Sequence, residues 1–275
     1  MKRRLAIVTP TREGLVDINY TSSLVESVKM IDDWDVKPTI ISGASDIIGA
    51  RNTLFNSWYW ETDVEAMMFI DSDISWNPHD LKRWLAIEGV GVLAGNYAKK
   101  KVKPLTLLQT AQIFQTATGE VDPEKVMRAH FDYVSTGTHN EIVGGEFKGL
   151  HSVDGIGLGF MLVHREAADI LMNWAASNMP KCKVNTLGEK DDLMGYAVFD
   201  PFVDENAQNW REDFAFCRRL KNAGLVIFMD SRVPLRHTGY TAFDGEFYAQ
   251  LELVKHVKAN PDLTLPEGHL TLNEK

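Results

Sequence analysis

The sequence predicts an α/β fold: a mainly parallel central sheet flanked by helices and built as one domain. Three observations carry that prediction. Apolar runs of strand length alternate with segments of helical periodicity through the first hundred residues. Those strand runs are continuously apolar rather than alternating, as expected of strands covered on both faces. Each run also ends in small, polar or acidic residues, as strand tips that face a crevice do.

RLAIVTP, flanked by charge, is the first strand. A helix from about Tyr20 to Trp34 follows, with Leu24, Val25, Val28 and Ile31 at helical spacing. PTIISG is the second strand, closed by Gly43, and Asp46 to Trp60 the second helix, capped by Ser45 or Asp46. AMMFI is the third strand. Asn77 caps a helix opened by Pro78 that carries Leu81, Trp84 and Leu85 inward, and VGVLAGNY is the fourth strand. This order implies parallel strands joined by right-handed crossovers. Beyond residue 100, PLTLLQT and the stretch from Val126 to Val134 read as strands. HSVDGIGLGFMLVHREAADILMNWAA reads as a glycine-rich turn, a strand and a helix. NWREDFAFCRRLKNAG is a helix stopped by Gly224, LVIFMD and RVPLRHTG are extended, and EFYAQLELVKHVKA is a closing helix.

Composition narrows the function. The 275 residues carry a net charge of −9, which argues against broad attraction to DNA or anionic lipid. One basic cluster stands apart, Lys99, Lys100, Lys101 and Lys103, either a solvated loop or a phosphate-facing patch. No apolar run approaches the roughly 20 residues of a membrane span. The opening MKRRLAIVTPTRE has too short an apolar stretch for a signal peptide. With only two cysteines, Cys182 and Cys217, a disulfide framework is not expected, and the default compartment is the cytoplasm.

The chemistry centres on AMMFIDSDISWNP. Aspartate is a poor strand former and rarely buried unpaired, yet Asp71 and Asp73 close a buried strand. In extended chain, residues two apart face the same way, so both carboxylates are expected to meet one divalent cation, Mn²⁺ or Mg²⁺. Helix capping is the bland alternative. Asp33-Trp34-Asp35 matches the same pattern but falls where a helix ends, and a solvated turn accounts for it. Thr9, Thr11 and Arg12 follow the first strand and are placed to reach a base or ribose. Arg51, in GARN, offers a fork of donors for a diphosphate oxygen, unless it is an ordinary surface arginine. Trp76 is either a sugar-stacking ring or packing, and Trp58, Tyr59 and Trp60 read as packing.

Four ordered segments, FIDSDI, DGIGLGF, REDFAFCRRLKNAG and RVPLRHTG, together resemble the GT-A superfamily of nucleotide-sugar-dependent glycosyltransferases. The resemblance covers most of the chain. It implies a nucleotide-binding half over 1–100, an acceptor and catalytic half over 101–245, and a C-terminal helix and tail over 246–275. It implies Asp71, Asp73 and His237 as metal ligands, with Asp71 alternatively on the ribose. Asp154 and Gly157 of the glycine-rich loop would lie against the sugar, Gly155 and Gly159 allowing close approach; a tight structural turn is the other reading. Asp213 would be the base if the reaction inverts the anomeric centre, and Glu212 would bind the acceptor; both also suit a helix N-terminus. ARN and FIDSDI also resemble the retaining fungal mannosyltransferase branch, so both stereochemical outcomes stay open. The expected donor is a UDP-sugar, and the acceptor a glycan, a protein or a hydroxylated DNA base. A nucleotidyltransferase is the enzymatic rival, although TPTREGLVD lacks its glycine-rich loop and lysine. A non-catalytic sugar-nucleotide-binding module is the other.

Overall fold

The computed structural model describes residues 2–43, 45–137, 140–141, 147–188, 193–239, 242–260 and 262–264, so the expected tail beyond 264 lies outside the described residues. The main strands of the first half are β1 (Arg3–Pro10), β2 (Trp34–Ile41), β3 (Ala66–Ile70), a short β4 (Ile74–Ser75) and β5 (Val92–Gly95). Between them run α1 (Ile18–Met30), α2 (Ile47–Glu61) and α3 (Pro78–Leu85). Asp17, Asp46 and Asn77 accept the N-cap bonds of these helices from the N–H groups of Asn19, Ile48 and His79. The first helix ends at Met30 rather than Trp34, because Trp34 already belongs to β2 and is buried.

The next region departs from expectation. PLTLLQT is not a strand; it opens α4 (Pro104–Thr118). Thr106, Thr110, Ile113 and Phe114 line its buried face, so threonines occupy positions where a helix usually shows apolar residues. Pro104 opens the helix and Gly119, at φ 79°, ends it. Val126 to Val134 is not a strand either: α5 (Pro123–Ala129) is capped by Asp122, which accepts from Glu124 and Lys125.

The rest comprises β6 (Ser135–Thr136), β7 (Asn140–Glu141), β8 (Leu150–Val153), β9 (Gly155–Ile156), β10 (Phe160–His164) and α6 (Arg165–Asn178), then the short β11 (Cys182–Lys183), β12 (Met194–Gly195), β13 (Phe202–Val203) and β14 (Asn209–Trp210). α7 (Glu212–Asn222), β15 (Ile227–Asp230), β16 (Leu235–Thr238), β17 (Ala242–Gly245) and α8 (Phe247–Ala259) follow.

Among the described residues, eight strands form the central sheet in the order β2-β1-β3-β10-β5-β15-β8-β7. β2, β1 and β3 are parallel neighbours, and so are β5 and β15. β10 runs antiparallel between β3 and β5, so a strand from beyond residue 159 fills the gap between two strands of the first hundred residues. Alternate residues of β1 serve two apolar layers: Ala6 and Val8 join one, Leu5 and Ile7 the other. Both faces of the sheet are therefore covered. A third cluster, Ile113, Phe114, Val126, Ala129, Ala249 and Leu253, holds α4, α5 and α8 together.

From β1 the chain steps to β2 on one side and then to β3 on the other. The carboxyl ends of β1 and β3 thus mark a switch in strand order, the place where open α/β sheets open a crevice. Among the described residues, no helix is long and apolar enough to cross a membrane.

Candidate active site

α2 is buried along most of its length, and its polar residues are consumed internally. Asn52 donates to Asp200 and accepts from the N–H of Phe199, while Asn56 donates to the carbonyls of Asn52 and Tyr196. These bonds dock the 196–200 segment, whose Phe199 stacks on Phe216 of α7 with ring centroids 4.3 Å apart. One turn beyond, the N-terminus of α7 presents Glu212 and Asp213 to α2. The residue that meets them is Arg51, with a side chain only 4% exposed.

Arg51 is the hub of the site. Its Nη2 donates to Asp71 Oδ1 at 2.9 Å, and its Nη1 donates to Asp213 Oδ1. Nη1 also lies 2.9 Å from Glu212 Oε1, an ion pair without an aligned hydrogen bond. Burial acts to lower the Arg51 pKa, but Asp71, Asp213 and Glu212 outweigh it and keep the guanidinium charged. Arg51 was expected to reach a diphosphate; the structure turns both its terminal nitrogens onto carboxylates instead. Burial pushes the Asp71 carboxyl above its ordinary value against the pull of Arg51. Burial likewise pushes Glu212 up to about 7, with Arg51 opposing and Asp213 adding to the rise.

At the tip of β3 the two carboxylates are held by different partners. β3 ends at Ile70, and a turn follows in which the N–H of Ile74 donates to the carbonyl of Asp71 at 3.0 Å. The chain is therefore not extended through 71–73, and the two carboxylates take different partners. Asp71 faces Arg51, whereas Asp73 faces Lys100 through Oδ2 and His237 through Oδ1, the latter at 3.6 Å from Nε2. β16 pairs with β4, opposing His237 to Ile74, and this register brings the histidine to the turn. Its Nδ1 lies 2.7 Å from the carbonyl of Ala98. A carbonyl only accepts, so Nδ1 carries a proton, and Nε2 is the ring nitrogen that faces Asp73. Burial acts to raise the Asp73 carboxyl, but His237 and Lys100 outweigh it and hold it below its ordinary value.

A carboxylate and an imidazole whose second nitrogen is fixed on a carbonyl make a donor pair that would suit a divalent ion. Among the described residues, no group of three His, Cys, Asp or Glu side chains gathers as a metal-holding cluster. Asp73 and His237 fit the ion; Asp71 stands apart on Arg51.

Other expected residues scatter. Thr9 is buried, with Oγ1 2.6 Å from Tyr20 Oη, so its hydroxyl is used between β1 and α1 rather than on a nucleotide. Thr11 is buried and its hydroxyl has no hydrogen-bond partner among the described residues, and Arg12 is exposed in the loop that follows. That loop closes on the acidic turn through the N–H of Asp17, which donates to the carbonyl of Ser72 at 2.8 Å. Asp154 is exposed and paired with Lys221. Trp76 is 5% exposed, and its Nε1 donates to Ser27 Oγ at 2.9 Å; it is core packing. The basic cluster is partly neutralised within the protein, since Lys100 pairs with Asp73 and Lys103 with Asp132.

The glycine-rich loop is shaped by protein atoms. A Cβ on Gly157 would lie 2.3 Å from Tyr97 Oη, one on Gly159 2.8 Å from Asp71 Oδ2, and one on Gly155 2.5 Å from the Phe214 ring. Gly157 was expected to lie against a sugar, yet it is buried and Tyr97 fills the space in front of it. Tyr97 is the residue that sequence reasoning missed. Its hydroxyl accepts from the N–H of Gly159 at 3.2 Å, and its ring meets His237 edge-on at 5.1 Å. The signal was GNY at the tip of the fourth strand, one more strand end at the crevice. Gly157→Ala should cost about 1–3 kcal/mol through overpacking, read as a lower urea midpoint. Adding Tyr97→Phe should recover part of that loss, because the obstructing oxygen is removed.

No protein-family model matches the chain, and no curated protein matches it. Among solved structures it is similar to A197 from STIV, at 16% identity and TM-score 0.45, over 86% of each chain. It is similar to the inositol-1-phosphate CTP transferase from T. maritima, at 9% identity and TM-score 0.40, over 92% of this chain and 96% of that one. It is also similar to the mannosyltransferase PcManGT from Pyrobaculum calidifontis, solved with GDP-Man and Mn²⁺, at 13% identity and TM-score 0.32, over 72% of this chain and 58% of that one. Its structural neighbours thus include a glycosyltransferase and a nucleotidyltransferase.

Proposed function

We propose that this chain is a GT-A-type glycosyltransferase that moves a sugar from a nucleotide-sugar donor, UDP-linked, to an acceptor hydroxyl. One observation carries the reading. Asp73 and His237 Nε2 face each other across 3.6 Å while Nδ1 is held on a backbone carbonyl, so an oxygen and a nitrogen ligand of the kinds a divalent cation takes are turned to one point. Next to them, Arg51 gathers three carboxylates at the switch point of the sheet.

Asp73 and His237 would hold Mn²⁺ or Mg²⁺, which when bound supplies counter-charge to the departing nucleoside diphosphate. The loop carrying Thr11 and Arg12 would border the nucleotide, and Arg51 fixes the position of the acidic residues. Asp213 accepts the acceptor's hydroxyl proton while that oxygen bonds to the anomeric carbon and the donor's phosphate oxygen leaves with its electron pair. Glu212 shares Arg51 with Asp213 and retains a proton up to about pH 7.

A thermal-shift panel of nucleotide sugars, run with Mn²⁺ and with chelator, tests the reading. One donor should raise the Tm only when metal is present, and Asp73→Asn should abolish that rise. If no donor in a broad panel shifts the wild type, the reading falls.

A further inference from the structure

Lys100 lies on the segment that orients His237. The carbonyl of Ala98 holds His237 Nδ1, and two residues later the Lys100 ammonium sits on Asp73 Oδ2. The segment is anchored by Lys99 N–H, which donates to the Asp132 carbonyl at 2.8 Å, and turned by Lys101 N–H, which donates to the Lys99 carbonyl at 2.7 Å. One short stretch thus aims the imidazole at Asp73 and covers the same carboxylate with a positive charge. The Lys100 side chain is 34% exposed and that of Asp73 37%, so the ammonium has solvent to move into.

We propose that Lys100 is a built-in competitor at the Asp73–His237 cation site: its ammonium neutralises Asp73 when no metal is bound, and an entering divalent cation displaces it. The inference rests on reading Asp73 and His237 as a cation site. An ammonium and a divalent ion on one carboxylate repel each other, so occupancy by one disfavours the other. Displaced, the lysine stands beside the metal as a second positive charge for a phosphate-bearing ligand, which ties donor binding to the metal-loaded state. The site is thereby kept from lying empty with an unpaired carboxylate.

The test is direct Mn²⁺ binding, followed by the electron paramagnetic resonance signal of the free ion. Lys100→Met should bind Mn²⁺ more tightly than wild type, by up to about fivefold, the upper limit when an exposed ion pair no longer has to be broken. Lys101→Met makes the same change in net charge from an exposed neighbour and should leave the Kd within twofold of wild type. In parallel, Mn²⁺ should raise acetylation of Lys100, read by mass spectrometry, relative to Lys99. Equal Mn²⁺ affinity in wild type and Lys100→Met, with no change in Lys100 labelling, would overturn the competitor role and leave the metal site standing. Mn²⁺ binding to none of the three proteins would overturn both.

Discussion

Arg51→Met should cost about 3–5 kcal/mol of folding stability, the range found when one partner of a buried ion pair is removed. The variant keeps the length and apolar volume of the side chain but leaves Asp71, Glu212 and Asp213 facing one another without a counter-charge. The loss should depend on pH, with a sign fixed by linkage. Burial already places the folded-state pKa of Asp71 and Glu212 above their unfolded values, Glu212 moving from 4.5 to about 7. Groups shifted this way contribute stability that is complete below the unfolded pKa and drains away as pH rises through the folded one. Without Arg51 the folded values climb further, so the deficit should be smallest near pH 5 and largest near pH 8. Urea titrations of both proteins at the two pH values measure it. A deficit independent of pH would mean that Arg51 acts by packing alone. Arg51→Lys should fall between, since an ammonium restores charge but not the two-nitrogen fork.

Asp213→Asn should lower the rate of sugar transfer by about 10²- to 10⁴-fold, the contribution of a positioned base, while metal-dependent donor binding persists. Its neighbour should behave differently. Burial pushes Glu212 up to about 7, so through neutral pH it gains a negative charge that favours drawing the acceptor's proton into the site. Transfer should therefore rise with pH through about 7 and level above it. Glu212→Gln should erase that rise while keeping measurable turnover. Rate profiles from pH 5.5 to 8.5 on the three proteins separate the roles. A profile of unchanged shape in Glu212→Gln, or full activity in Asp213→Asn, would mean that the proton goes elsewhere.

What could be read in the sequence followed the range of the forces involved. β1, β3, α2 and α3 were legible because apolar runs, caps and Pro78 act within a few residues. α4 was missed because Thr106 and Thr110 fill a buried helical face with residues typical of strands, although Pro104 and Gly119 marked its ends. The acidic turn was found, but its geometry was not: a single hydrogen bond from Ile74 to Asp71 breaks the extended conformation that would have aligned both carboxylates. The role of Arg51 was out of reach, because its partner Asp213 lies 162 residues along the chain. The glycines announced that a side chain was excluded, but nothing local revealed Tyr97 as the excluding group.

The position of β10 bears on how the molecule is made. A nascent chain that has emerged only through residue 100 holds β3 and β5 but not the strand that belongs between them, so each presents an unsatisfied inner edge. Closure waits for Phe160–His164 to leave the ribosome and enter the slot against both neighbours. Until then the half-made protein is exposed to sticking edge-to-edge, and a gene fragment ending near residue 100 inherits that hazard permanently.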